Sequence, residues 1–208
     1  MPRWTRRLAL LLAGCIAALP LCQAQSTPAA PTVRVRGTVQ AVGPDTLTVK
    51  DRSGDTVELV LPAALVVSEV FPIARGDIQP GSFIGVAALP QSDGTRRAIA
   101  VTVFPEAARG TGEGDRPFDL LPQSTMTNAT VAGVATVTQG RALQLQLQHK
   151  DGEARIVVPD DAPIVTFRRA DRSLLVVGAS VSLQAQVVDG QPTAARISVG
   201  RAGFVLPY

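Results

Sequence analysis

The sequence predicts an all-β protein built from two tandem small antiparallel β-barrels, OB-like or SH3-like. Three observations carry that expectation. Runs rich in Val and Thr alternate apolar and polar residues at period two. Gly, Pro and Asp interrupt those runs every few residues. The order of runs and turns then recurs once along the chain. Alternation bounded by turn residues is the pattern of half-buried strands. Branching at Cβ stiffens Val and Thr at χ1 and suits a pleated surface better than a helix.

The chain opens "MPRWTRRLALLLAGCIAALPLCQAQ". Arg3, Arg6 and Arg7 precede an apolar run from Leu8 to Leu21, and Cys22 and Ala24 put small residues at the positions a signal peptidase reads. Residues 1–24 therefore read as a secretory signal, its apolar run too short for a spanning helix of about 20 residues. Leu12-Ala13-Gly14-Cys15 also fits a lipobox, which makes Cys15 a candidate lipid anchor. The apolar run continues past Cys15, which favours ordinary cleavage near Ala24. The expected location is periplasmic or secreted.

The first copy begins with "VRVRGTVQAV" from Val33, turns at Gly43-Pro44-Asp45, and continues as "TLTVKD" and "TVELVLP". "LVVSEVFPI" reads as a further strand ending near Pro72, followed by a short helical turn near Ala74–Asp77. "FIGVAAL" and "AIAVTVF" close the copy through Ser92-Asp93-Gly94. Pro80-Gly81, just before "FIGVAAL", has the residues of a tight turn: Pro fixes φ and Gly supplies the positive φ after it.

The second copy repeats this order. "TLTVKDRSGDTVELVLP" is matched by "ALQLQLQHKDGEARIVVP", and "ARGDIQPGSFIGVAAL" by "RADRSLLVVGASVSLQA". "SDGTRRAIAVTV" is matched by "VDGQPTAARISV", and "LVVSEVFPI" by "PIVTFRRA". Internal duplication accounts for the near-constant separation of equivalent residues. Short strands expose edges, and closure into a small barrel removes them. The expected organisation is barrel one over 32–105, an ordered Gly-rich linker over 106–124, and barrel two over 125–208. One β-sandwich made from both halves is the alternative.

These runs carry a resemblance. The pattern from Gly37-Thr38-Val39 through Ile78-Gln79-Pro80-Gly81-Ser82-Phe83-Ile84-Gly85-Val86 continues through Arg109–Gly114, Pro117, Asp119 and Ser124–Val131. It resembles a family of uncharacterised exported bacterial proteins built from small β-barrel modules. The resemblance implies a fold and a compartment but no activity. Relatives often carry histidine where this chain has Asp115 and tryptophan where it has Phe118, which weakens any role needing an imidazole at 115. The label metal-transporter permease, attached to some relatives, finds no set of spanning helices in this sequence.

Composition excludes several functions. The chain has 20 basic and 17 acidic residues, and removal of the signal's three arginines balances them. A balanced chain with one Trp and one Tyr lacks the basic stripe and stacking platforms of a nucleic-acid binder. Both cysteines, Cys15 and Cys22, fall within the signal, leaving no disulfide or thiol chemistry. His149 is the only histidine, so a zinc site would have only carboxylates beside it, and a serine triad, already lacking its G-x-S-x-G context, would have to use it. No cofactor is expected.

The stretch "RGTGEGDRPFDLLPQSTMTNAT", residues 109–130, holds the candidate contacts: Arg109, Glu113, Asp115, Arg116, Phe118 and Asp119. Its alternating glycines lack the Gly-Lys-Ser/Thr of a phosphate loop. Its acids lack the spacing of a calcium loop, and Arg109 and Arg116 are expected to neutralise them. The sequence therefore predicts a non-catalytic exported binding or scaffold protein of the cell envelope, contacting a small ligand or an envelope protein. A carboxylate- or metal-dependent hydrolase in the cleft beside this stretch is the alternative. An assembly factor offering a strand edge is a third reading.

Overall fold

The computed structural model describes residues 32–136 and 142–208. The expected signal over 1–24, with Cys15, lies outside them. The described residues form an all-β fold of thirteen strands joined in one sheet, with short 3-10 turns and no α-helix.

The first copy supplies β1 (Thr32–Val42), β2 (Thr46–Asp51), β3 (Thr56–Val60), β4 (Val66–Pro72), β5 (Phe83–Pro90) and β6 (Arg96–Val103). The second supplies β8 (Thr125–Thr136), β9 (Leu143–His149), β10 (Gly152–Val158), β11 (Ile164–Ala170), β12 (Ser180–Val188) and β13 (Gln191–Gly200). The helical turn expected near Ala74–Asp77 is a 3-10 turn at Arg75–Asp77, and its counterpart in the second copy is a 3-10 turn at Arg172–Leu174. Register shifts also recur in both copies, at Val39/Ala41 and Val131/Gly133, and at Ala87/Ala88 and Leu183/Ala185. Such bulges bend a strand and increase its twist.

Pairing does not follow the two halves expected from the sequence. β1, β2 and β3 pair in order, but β1 then pairs with β12 and β3 with β13. That circuit of five strands takes three from the first copy and two from the second. The other circuit is its counterpart: β8, β9 and β10 from the second copy, with β5 and β6 from the first. β4 and β11 lie between the circuits. They run antiparallel to each other, β4 beside β13 and β11 beside β6. The chain leaves its first circuit along β4 and enters the other at β5, and the second copy makes the reciprocal passage. The units 32–105 and 125–208 thus exchange their last two strands. Local alternation sets which face of a strand is buried but not which strand lies beside it.

Each circuit surrounds its own core. Val39, Leu47, Val49 and Leu59 pack with Val181, Ala185, Ala194 and Ile197. Ile84, Val86 and Val101 pack with Val131, Leu145, Leu147 and Ile156. Leu145 and Leu147 point inward while Gln146 and Gln148 face out, as their alternation predicts. β5 is buried along most of its length because it pairs on both sides. A third cluster joins Val70 of β4 and Val165 of β11 to Leu206 of the C-terminal segment, with Phe167, Phe204 and Tyr208 against it.

The linker expected over 106–124 is ordered but contains a strand. β7 (Gly114–Pro117) pairs with the first residues of β8. The glycine spacing has a backbone cause. Gly110, Gly112 and Gly114 all have positive φ, at 80°, 56° and 118°, so the chain turns repeatedly before entering β7.

Candidate functional site

The six candidate residues do not converge on one point. Arg109 Nε and Nη2 donate to Glu106 Oε1 and Oε2 at 2.6 and 2.7 Å, and Nη2 also reaches the Gly81 carbonyl. Glu113 Oε1 accepts the backbone N–H of Lys150 at 3.0 Å. Asp115 is gripped by both terminal nitrogens of Arg96, at 2.6 and 2.7 Å, and by the Thr127 hydroxyl at 2.8 Å. Phe118 lies beneath two guanidinium groups, Arg34 at 5.4 Å and Arg36 at 5.2 Å from its ring centre. Asp119 accepts from the same two arginines, at 3.0 and 2.6 Å. Arg116 donates to the Gly112 carbonyl at 2.7 Å.

Asp115 and Asp119 are neutralised by arginines outside the stretch, while among the described residues Glu113 accepts only a backbone N–H. Arg109 pairs with Glu106, while Arg116 has no carboxylate within 4 Å among the described residues. Burial pushes the Asp115 carboxyl up, but hydrogen bonds from Arg96 and Thr127 and the Arg96 charge hold it below the usual carboxylate range. The hydrogen bond from Arg36 does the same for Asp119. Among the described residues, no three His, Cys, Asp or Glu side chains gather as metal ligands.

What the fold does assemble is a cleft between the two circuits. Its volume is about 360 Å³. Central strands β4 and β11 contribute Ser68, Val70 and Phe167, while β5 and β6 contribute Gly85 and Thr102. From the opposite circuit come Ser182 and Gln184 of β12 and Arg196 and Ser198 of β13. Arg34 of β1 and Arg116 of β7 complete its charged lining. Three arginines line this cleft and no Asp or Glu side chain does. Arg34 is paired with Asp119, whereas Arg116 and Arg196 have no acid within 4 Å among the described residues.

Strand register orders the polar groups. Ser68 lies opposite Ser198, Ser198 opposite Ser182, and Ser182 opposite Arg36, so one row crosses four strands. Directly opposed residues sit about 5 Å apart at Cβ. None of the three serine hydroxyls bonds another described side chain, although the Ser180 Oγ nearby accepts the Leu206 N–H of the C-terminal segment. The far wall is apolar: Phe104 packs edge-on against Phe83 and Phe167, with ring centres 5.3 and 5.4 Å apart. Tyr208 closes one side, its hydroxyl 2.6 Å from the Thr102 hydroxyl.

Asn128 forms part of the same wall. It is 4% exposed, its Nδ2 donates to the Thr111 carbonyl, and its Oδ1 has no partner. An unpaired buried acceptor costs about 1–3 kcal/mol. Gly85 makes room for it: a Cβ there would lie 2.8 Å from Asn128 Oδ1 and 2.9 Å from the Phe104 ring. The sequence marks Asn128 only through a glycosylation triplet, which its burial removes from the folded surface. The serine row, Arg196 and Tyr208 carry no motif at all, since only strand pairing brings them together.

No family model matches the chain, and no curated protein or solved structure is significantly similar to it.

Proposed function

We propose that this chain is a non-catalytic binding protein of the bacterial cell envelope, exported through residues 1–24. In this reading each five-strand circuit is a closed small barrel, and the ligand lies in the cleft between them. The observation that carries it is the cleft's lining of three arginines without an Asp or Glu side chain, two of them lacking an acidic partner among the described residues. Positive charge left uncompensated in a concave, half-apolar site is what a ligand would complete. The hydrolase alternative needs Glu113, Asp115 and Asp119 to act together, and each is held by a separate partner.

The test is native mass spectrometry of the protein purified gently from its envelope fraction, beside Ser182→Trp, which fills the cleft. A retained small molecule that Ser182→Trp loses supports the proposal. A molecule retained equally by both proteins refutes the cleft as its site.

A further inference from the structure

The cleft's lining joins charged and hydroxyl groups to apolar ones, and that combination defines what it would hold. Resting on the binding reading above, we propose that the ligand is a small amphiphilic anion: one acidic headgroup, such as carboxylate or sulfonate, on a compact apolar body.

The headgroup is met by β12 and β13. Arg196 and Ser198 are two residues apart on one strand and so share a face. Ser182 lies opposite Ser198, and Gln184 stands two residues beyond it on that face. Arg196 is exposed, with no carboxylate within 4 Å among the described residues, and its planar fork matches an acid group bidentately. Arg116 reaches the cleft from β7, using a hydrogen bond to its own loop at Gly112 and no acid. Ser68, Ser182 and Ser198 share the lining with these guanidinium groups and add hydroxyl donors for an anion.

The apolar body is met by Val70, Phe104 and Phe167. These surfaces hold no charge, and the edge-on aromatic pair leaves ring faces and edges for an apolar group. A polyanion is a poor fit, because Val70, Phe104, Met126 and Phe167 share the lining with the three arginines. A neutral sugar is a poor fit too, since it would leave the guanidinium groups uncompensated. A volume near 360 Å³ suits a compact molecule at the small end of ligand sites of about 300–1,000 Å³.

Two fluorescent probes separate headgroup from body. Anilinonaphthalene sulfonate carries the anion; N-phenyl-1-naphthylamine has the same rings without it. Equilibrium titration of the full mature chain is expected to show one saturable site, at least tenfold tighter for the sulfonate. Raising salt from 0.05 to 0.5 M should weaken the sulfonate alone. The double variant Arg116→Met/Arg196→Met should bring the two probes to within about twofold of each other, while its circular dichroism melt shows it folded. Ser182→Trp, or Ser68→Trp should the first not fold, should abolish both. Equal wild-type affinities, or a preference that survives in the double variant, overturn the anion while leaving the cleft reading intact if a tryptophan still blocks binding. Binding unaffected by either tryptophan, or no saturable binding, overturns both.

Discussion

Cutting the chain at the expected boundary should not yield a folded monomer. The fragment 32–105 retains Val35, Val39, Leu47, Val49, Leu59, Leu61 and Val67 of the first core and loses its other eight residues, from Leu175 to Val199. Complete burial of such side chains contributes about 1.5–3 kcal/mol each. Re-exposing these seven costs about 10–20 kcal/mol, against a whole-domain stability of about 5–15 kcal/mol. The same fragment keeps Ile84, Val86 and Val101 without Leu145, Leu147 or Ile156. It therefore has two part-cores and completes neither. The assay is light scattering after size exclusion, with urea unfolding followed by circular dichroism, on 32–105, on 125–208 and on their mixture. Each fragment alone should be unfolded or should self-associate by the same strand exchange, and the mixture should recover a cooperative transition. A monomeric 32–105 with a sharp urea transition would refute the exchanged pairing.

Three further outcomes follow from particular contacts. Asp115→Asn should lower stability by about 1 kcal/mol at pH 7, since the Arg96 pair is partly exposed. The Asp115 carboxyl lies below its unfolded value, so its contribution is present above the ordinary carboxylate range and disappears as pH falls through the lowered folded value; urea midpoints from pH 7 downward should converge with wild type. Gly85→Ala should cost about 1–3 kcal/mol in the same assay, because its Cβ would crowd Asn128 Oδ1 and the Phe104 ring. Phe118→Ala removes the surface beneath Arg34 and Arg36. It should cost about 1 kcal/mol and speed proteolytic cleavage within 109–124, with unchanged cleavage counting against that stacking role.

The strands were legible because period-two alternation is local: "LQLQLQH" reports its buried face without help from any other segment. The recurring order of elements was legible for the same reason, down to the 3-10 turn after β4 and its counterpart after β11. Strand partners were not, since Val60 meets Thr193 across most of the chain and no local signal marks that meeting. The candidate acids fared likewise. Asp119 is neutralised by Arg34, 85 residues away, rather than by the adjacent stretch. Balanced net charge also concealed the cleft, because a total cannot record that Arg116 and Arg196 stand near hydroxyls while the acids pair elsewhere. Asn128 was visible only as a triplet whose chemical meaning depends on an exposure it lacks.

Reciprocal exchange has a consequence for how such a site can arise. Two identical chains interlocked this way would place the same residue on either side of their axis, and any groove across it would be the same at both ends. Here the partners are covalently joined and free to diverge, so Ser182 can line the groove from one circuit while Gly85, its counterpart in strand order, lines it from the other. Joining the copies also removes dilution as a threat: the interlocked state no longer depends on protein concentration. Unlike residues at matched places in a near-symmetric frame are thus available to the fused chain and denied to the matched pair.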